Sequence, residues 1–138
     1  MAKAISFPTD LRALDIFDRV PKDCVLHKQD DGAHEPHIHM GELAVIDPTQ
    51  CDVIQGELYL IRFPREGSER IFQVNLRMNS SANVMTASFQ PLNRPQSRED
   101  LDDWLRTGRQ LYMGDCGLIA RLLPEYIVGR VIGVLQPL

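Results

Sequence analysis

All the histidines of the chain lie within one short stretch, at His27, His34, His37 and His39. If that stretch is extended, His37 and His39 point the same way, as paired zinc ligands on a strand do. His34 or Glu35 would then complete a three-ligand site whose open position holds a metal-activated water. The chemistry implied is metal-dependent hydrolysis. The cysteines do not add to it. Cys24, Cys51 and Cys116 are odd in number, far apart and without a C-x-x-C pair, so neither a disulfide framework nor a Cys-rich zinc site is expected. Ser80 and Ser81 are further hydroxyls in principle, but they follow Asn79 in a polar stretch that reads as a turn.

The elements that must carry these residues belong to one domain. A chain of 138 residues removes roughly two-thirds of its unfolded surface from water on folding, enough to hold together without a metal or a disulfide. Hydrophobic residues at 43% and charged residues at 25% are ordinary for a globular chain and argue against disorder. The net charge of −4 and dispersed arginines, with Arg65 and Arg70 beside Glu66 and Glu69, argue against direct nucleic-acid binding. No apolar run is long enough to cross a bilayer. MAKAISFPTDLR has no apolar core before its first charges, so a secretory leader is not expected and the expected location is cytoplasmic.

The expected organisation is an N-terminal arm, 1–23, and a domain, 24–138. In the arm, Leu11, Leu14, Phe17 and Val20 recur at helical spacing behind Thr9 as cap, and Pro21 stops the run. This predicts a helix over 9–20, with an extended arm docked on the body as its rival. From residue 24 the texture is β. Short apolar runs at 24–27, 43–46 and 58–63 are bounded by Gly, Pro and Asp, as strands buried on both faces are. Over 70–78 the period is two, which predicts Phe72, Val74, Leu76 and Met78 inward. Residues 83–89 are expected to pair with that strand through the turn at Asn79. Gly41-Glu42-Leu43 and Gly56-Glu57-Leu58 echo one another as two strand entries using the same turn chemistry. In the tail, 126–135, Gly129 and Gly133 predict close backbone approach or a bulge. One helix interrupts the β pattern near 97–108, with Ser97 as cap, Gly108 as stop, and Leu101, Trp104 and Leu105 on one face. That face either packs on the sheet or meets a partner.

The segment GAHEPHIHMGELAVIDP, 32–48, resembles the nucleophile segment of the LexA, UmuD and phage-repressor peptidases, whose fold is related to that of signal peptidases. In that family Ser-Met-x-Pro is followed by Gly-Asp, an apolar strand and often Asp-Pro. Here Pro36, Ile38, Gly41-Glu42 and Leu43 to Pro48 occupy those places. Gly56 to Ile61 resembles the next Gly-Asp strand, and Ile127 to Val134 the terminal Gly-Arg-Val strand. The three pieces stand in the family's order over about two-thirds of the chain. The resemblance implies a mainly-β, LexA-like peptidase domain of the β-clip type, carrying one inserted helix.

It also implies a lost activity. Its register puts Ala33 at the nucleophile, where a methyl cannot attack a carbonyl, and His34 where methionine is usual. Gln73 or Asn75 takes the place of the lysine base, and neither amide accepts a proton at neutral pH. All the lysines, Lys3, Lys22 and Lys28, precede Ala33, and Lys28 has no hydroxyl there to activate. The family's cleavage site is missing from the N-terminal linker, and the one Cys-Gly pair, Cys116-Gly117, lies near the other end. On the family's pattern the histidines fall on an exposed loop that needs no metal. The expectation is therefore a pseudo-peptidase without a cofactor, serving as a regulatory or dimerisation module. The resemblance implies a homodimer through the tail strand, Val128 to Leu135, or pairing with a protein that carries a DNA-binding domain. In a tail dimer, charge at Val131 or Val134 would disperse the pair. The competing expectations are the His34, His37 and His39 metal hydrolase and a retained peptide groove without cleavage.

Overall fold

The computed structural model describes residues 14–137. Its strands are β1 (Asp15–Phe17), β2 (Val25–Lys28), β3 (Leu43–Asp47), β4 (Leu58–Arg62), β5 (Glu69–Asn79), β6 (Val84–Gln90), β7 (Asp115–Ile119) and β8 (Ile127–Leu135), with one α-helix, α1 (Arg98–Arg106). They form a single sheet in the order β2-β3-β8-β4-β5-β6-β7, and β1 adds to β8. All pairings are antiparallel except that of β1 with β8. The chain is thus mainly β, as its short apolar runs predict. Among the described residues no helix is long and apolar enough to cross a membrane.

The apolar runs of β3 and β4 are buried on successive residues because the curled sheet has a core on each face. Ala44, Ile46, Leu58, Leu60, Ile71 and Val131 pack on one side. Tyr59, Ile61, Phe72, Val74 and Phe89 pack on the other, where Phe63, Phe72, Phe89 and Tyr126 meet ring to ring at about 6 Å. This arrangement corrects the alternation expected of β5. Phe72 and Val74 are inward, but Ile71 and Gln73 are just as buried on the opposite face, while Met78 is 54% exposed. The first half of β5 lies between the two cores. The second half runs out beside β6 as a ribbon whose Asn79 side chain accepts from the amides of Ser81 and Ala82, so the serines form a turn.

The arm does not continue as the expected helix. Residues 14–20 hold no helical turn, and Asp15–Phe17 pairs in parallel with Gly133–Leu135; the rest of the 9–20 stretch, with residues 1–8, lies outside the described residues. The amphipathic spacing lost to tertiary pairing. Gly133 offers a backbone without a Cβ, and any side chain there would collide with the carbonyl of Asp15 and the ring of Phe17. Gly129 does the same for the other neighbour, since a Cβ there would lie 2.5 Å from the Asp47 carbonyl oxygen. Close approach was the expectation at both glycines, and both make it. The chain also bulges beside β8, at Val45/Ile46 and Leu60/Ile61.

The uncovered tail edge is a second correction. β8 is bonded along one side to β3, and along the other to β4 and then β1. Val131 and Val134 are 2% and 5% exposed, so charge there would strike the core and would not report on a dimer. Helix α1 forms with the expected cap, Ser97 Oγ accepting from the Asp100 amide at 3.1 Å, and Gly108 follows its end at φ +73°. Trp104 is covered by its own chain. Its Nε1–H donates to Gln110 O at 3.0 Å, and the Arg109 guanidinium lies 3.5 Å from the ring centroid. Leu105 does not share that burial and is 57% exposed. β7, which holds Cys116-Gly117, and the 3-10 helix Ala120–Glu125 were not expected from the sequence.

Candidate functional site

The segment between β2 and β3 folds back against the first half of β5 and leaves a cleft of about 170 Å³ between them. His27, Gln29, Ala33 and His34 form one wall, β5 from Glu69 to Phe72 the floor, and Tyr112 with Met113 the far side. Lys28, the last residue of β2, lies between the lining residues His27 and Gln29 and is exposed. A second hollow of about 220 Å³, between Phe63 and Gly114, continues past Arg70, Phe72 and Met113. The groove therefore follows the edge of β5.

That edge lacks a pairing strand for a definite reason. β4 pairs with β5 over Glu69–Gln73, but β6 pairs with it only from Gln73 to Asn79. Val74 exchanges bonds with Gly56 and Glu57 on the β4 side. Alternation then turns the backbone groups of Glu69, Ile71 and Gln73 the other way, and for Glu69 and Ile71 that way is the cleft.

Ala33 sits at the head of the cleft, 8% exposed. Its N–H donates to Asp31 Oδ1 at 3.0 Å, the same carboxylate oxygen that accepts from Gln29 Nε2 at 2.9 Å. The position expected for the nucleophile thus lacks a hydroxyl, and its amide is bound to an anion and is not free to receive a developing oxyanion.

Gln73 is 1% exposed and held on both ends. Its Nε2 donates to Gly56 O at 2.9 Å, while its Oε1 accepts from Arg94 Nη1 at 3.0 Å and Asn75 Nδ2 at 3.3 Å. Asn75 continues the chain of amides to Gln90 and Gln55. Arg94 also donates to Pro91 O at 2.6 Å. Burial pushes its pKa down to about 10, yet at neutral pH it stays a cation. Both residues considered for the lysine position, Gln73 and Asn75, lie in one amide network, and no group in it can serve as a base.

The histidines part company. His34, expected on an exposed loop, is 1% exposed. The Leu92 N–H reaches its Nδ1 at 3.3 Å, which makes Nδ1 the acceptor, so Nε2 carries the proton and donates to Ile71 O at 2.6 Å. Desolvation by burial lowers its pKa from 6.5 to about 4, and the bond to Ile71 offsets only part of that. With both nitrogens committed to backbone, His34 has no lone pair for a metal. His37 is half-buried, and His39 is exposed, its Nδ1 3.0 Å from Glu35 Oε1. That bond raises the His39 pKa. Among the described residues no His, Cys, Asp or Glu group is arranged to hold a metal ion. The three-histidine site is thus corrected: period-two spacing assumed an extended segment, whereas 33–37 is a run of turns.

Sequence reasoning missed Arg94, Asn93, Asp31 and Tyr112. Asp30-Asp31-Gly32 carries the turn signature that places Asp31, but nothing local marks Arg94 or Tyr112, which reach the site from distant segments. The chain matches no protein-family model, no curated protein and no solved structure.

Proposed function

We propose that the chain is a non-catalytic module of the LexA-like, β-clip peptidase fold that holds an extended segment of a regulatory protein without cutting it. The observation that carries the reading is a strand edge lining a cleft whose head offers only the Ala33 methyl. An unpaired edge recognises an extended segment through main-chain bonds, with side-chain contacts adding selectivity. Gln73, neutral and bonded on both ends, supplies no base. The order of the pieces supports the family reading. The 32–48 segment runs into β3, the second Gly-Glu opens β4, the position compared with the lysine falls on β5, and the Gly-Arg-Val strand closes the sheet as β8. The resemblance makes a protein bearing a DNA-binding domain the natural source of the bound segment. Self-association through the tail forms no part of the proposal, because β8 has strands on both sides.

The test is a titration of the labelled chain with extended peptides, followed by NMR and by mass spectrometry of the peptide. Shifts gathered on Glu69–Phe72, Ala33 and Tyr112, with the peptide intact, are expected. Turnover that requires this chain would overturn the non-catalytic reading, and shifts scattered away from the cleft would remove the site.

A further inference from the structure

The edge of β5 is not open along its whole length, because the ring of His34 stands where a strand would pair at Ile71. Four hydrogen bonds fasten the loop that bears it. His34 Nε2–H reaches Ile71 O at 2.6 Å, Leu92 N–H reaches His34 Nδ1 at 3.3 Å, Asn93 N–H reaches Ala33 O at 2.8 Å, and Asn93 Nδ2 reaches Gly32 O at 3.0 Å. One imidazole thus bridges β5 and the 91–95 turn. On either side of it Asp30, Asp31, Glu35 and Pro36 are exposed, and the next fixed point is Ile38 in the core.

We infer that His34 is a latch, its neutral ring holding the 30–37 segment against β5 and covering the strand edge at Ile71. The consequence rests on the proposed function: with the latch released, an extended segment could pair past Glu69 through Ile71. The latch itself is a property of the free protein. Protonation is one way to release it. An imidazolium has no lone pair on Nδ1, so the Leu92 N–H would confront a second donor inside the protein. The charged surroundings are mixed. Asp31 favours the charged ring, while His37 and Arg94 oppose it; Glu69 and Arg70 on β5, His27 on β2 and Tyr112 line the same cleft. Burial outweighs these and keeps the ring neutral at ordinary pH.

Amide hydrogen exchange on the full chain without ligand tests the latch. Taking the protein from about pH 7 to about pH 4.5 is expected to cut the protection of the Leu92 and Asn93 amides at least about tenfold, while Val74, bonded to Glu57, keeps its own. In His34→Gln, which retains a donor toward Ile71 but cannot take up a proton, the Asn93 amide should lose this pH dependence. The inference is overturned if His34→Gln keeps the same acid response. It is also overturned if Leu92 and Asn93 exchange in step with Val74 at every pH. Should the variant not fold, nitrogen shifts of the native ring decide: a fixed Nε2–H tautomer near neutral pH is expected, and a ring averaging both tautomers overturns it. A latch that opens in acid yet admits no extended peptide would leave this inference standing and sink the proposed function alone.

Discussion

β8 and the first half of β5 are both buried strands, yet they satisfy their backbones by different means. β8 has β3 on one side and β4 followed by β1 on the other, and glycines at 129 and 133 let neighbours approach where a Cβ would collide. β5 from Glu69 to Phe72 has β4 on one side and, on the other, a histidine ring beside an open groove. Where backbone meets backbone, the sequence needs only apolar residues and glycine. Where a strand is missing, polar side chains must be recruited from distant segments, and what they leave uncovered is free to bind.

The sharpest way to break the contrast is to give β8 side chains it cannot hold. Gly129→Val should cost about 3 kcal/mol or more through overpacking against Asp47 and Pro48, read as a lower midpoint in urea. Val131→Asp should abolish cooperative folding altogether, since an unpaired carboxylate would enter the core. A folded, merely monomeric Val131→Asp protein would restore the tail to the role of an exposed pairing strand.

The polar side of the contrast is probed at Gln73. Gln73→Lys installs the residue type that the LexA-like peptidases, which the 32–48 segment resembles, carry at the compared position, but it places an ammonium beside Arg94 and strips a donor–acceptor pair from the amide network. The expected loss is about 3 kcal/mol, of the order measured for an uncompensated buried charge. Without a hydroxyl at Ala33 no peptidase activity should appear. Gln73→Leu should cost less, about 1–3 kcal/mol, because it removes the Gly56 carbonyl's donor and one of Arg94's two acceptors without adding a charge. Equal losses for the two, by denaturant titration, would mean that the site is wetter than its burial indicates.

The same contrast explains what was legible in the sequence. β3, β4, β6 and β8 were readable because an apolar run between turn residues reports directly on burial, and Gly129 and Gly133 report on close approach. Ser97 and Gly108 marked the ends of α1 through local capping chemistry. Phe17 was misread because helical spacing and a docked strand use the same residues, and only the partner, β8, decides between them. Met78 was misread because alternation gives the face of a strand but not where the core ends. At the site, Ala33 and Gln73 could be singled out by comparison with a family motif. The burial of His34 could not, since it depends on Ile71 and Leu92, 37 and 58 residues further along the chain. β7 carries Gly117 at φ +88° and a short, mixed sequence, so no periodic signal announced it.

An effect of comparable size is expected from pH. His34 has its folded pKa lowered to about 4 from 6.5, so the unfolded chain binds the proton more readily. Its contribution is fully present above pH 6.5, declines as the pH falls through that range, and is lost below about 4. The span corresponds to about 3 kcal/mol at most. Urea midpoints of the native chain and of His34→Gln should therefore converge as the pH is lowered, and midpoints that remain parallel would show that other groups carry the acid response.

The smallest effect belongs to the histidine that looked most like a ligand from spacing alone. His39 is exposed and bonded to Glu35 at 3.0 Å. The Glu35 carboxylate raises its pKa through that hydrogen bond, and the charge of nearby Glu42 adds to the rise. Glu35→Gln should bring the His39 titration down toward its ordinary value, followed by NMR, with no resolvable change in the urea midpoint, because an exposed pair is screened by water. The titration of His34, only five positions earlier, should be unmoved by the same substitution, since the charges acting on its ring are those of Asp31, His37 and Arg94 and not Glu35. If Glu35→Gln shifts both rings together, the loop carries them as one charged cluster, and the division between a buried latch and a solvated neighbour fails.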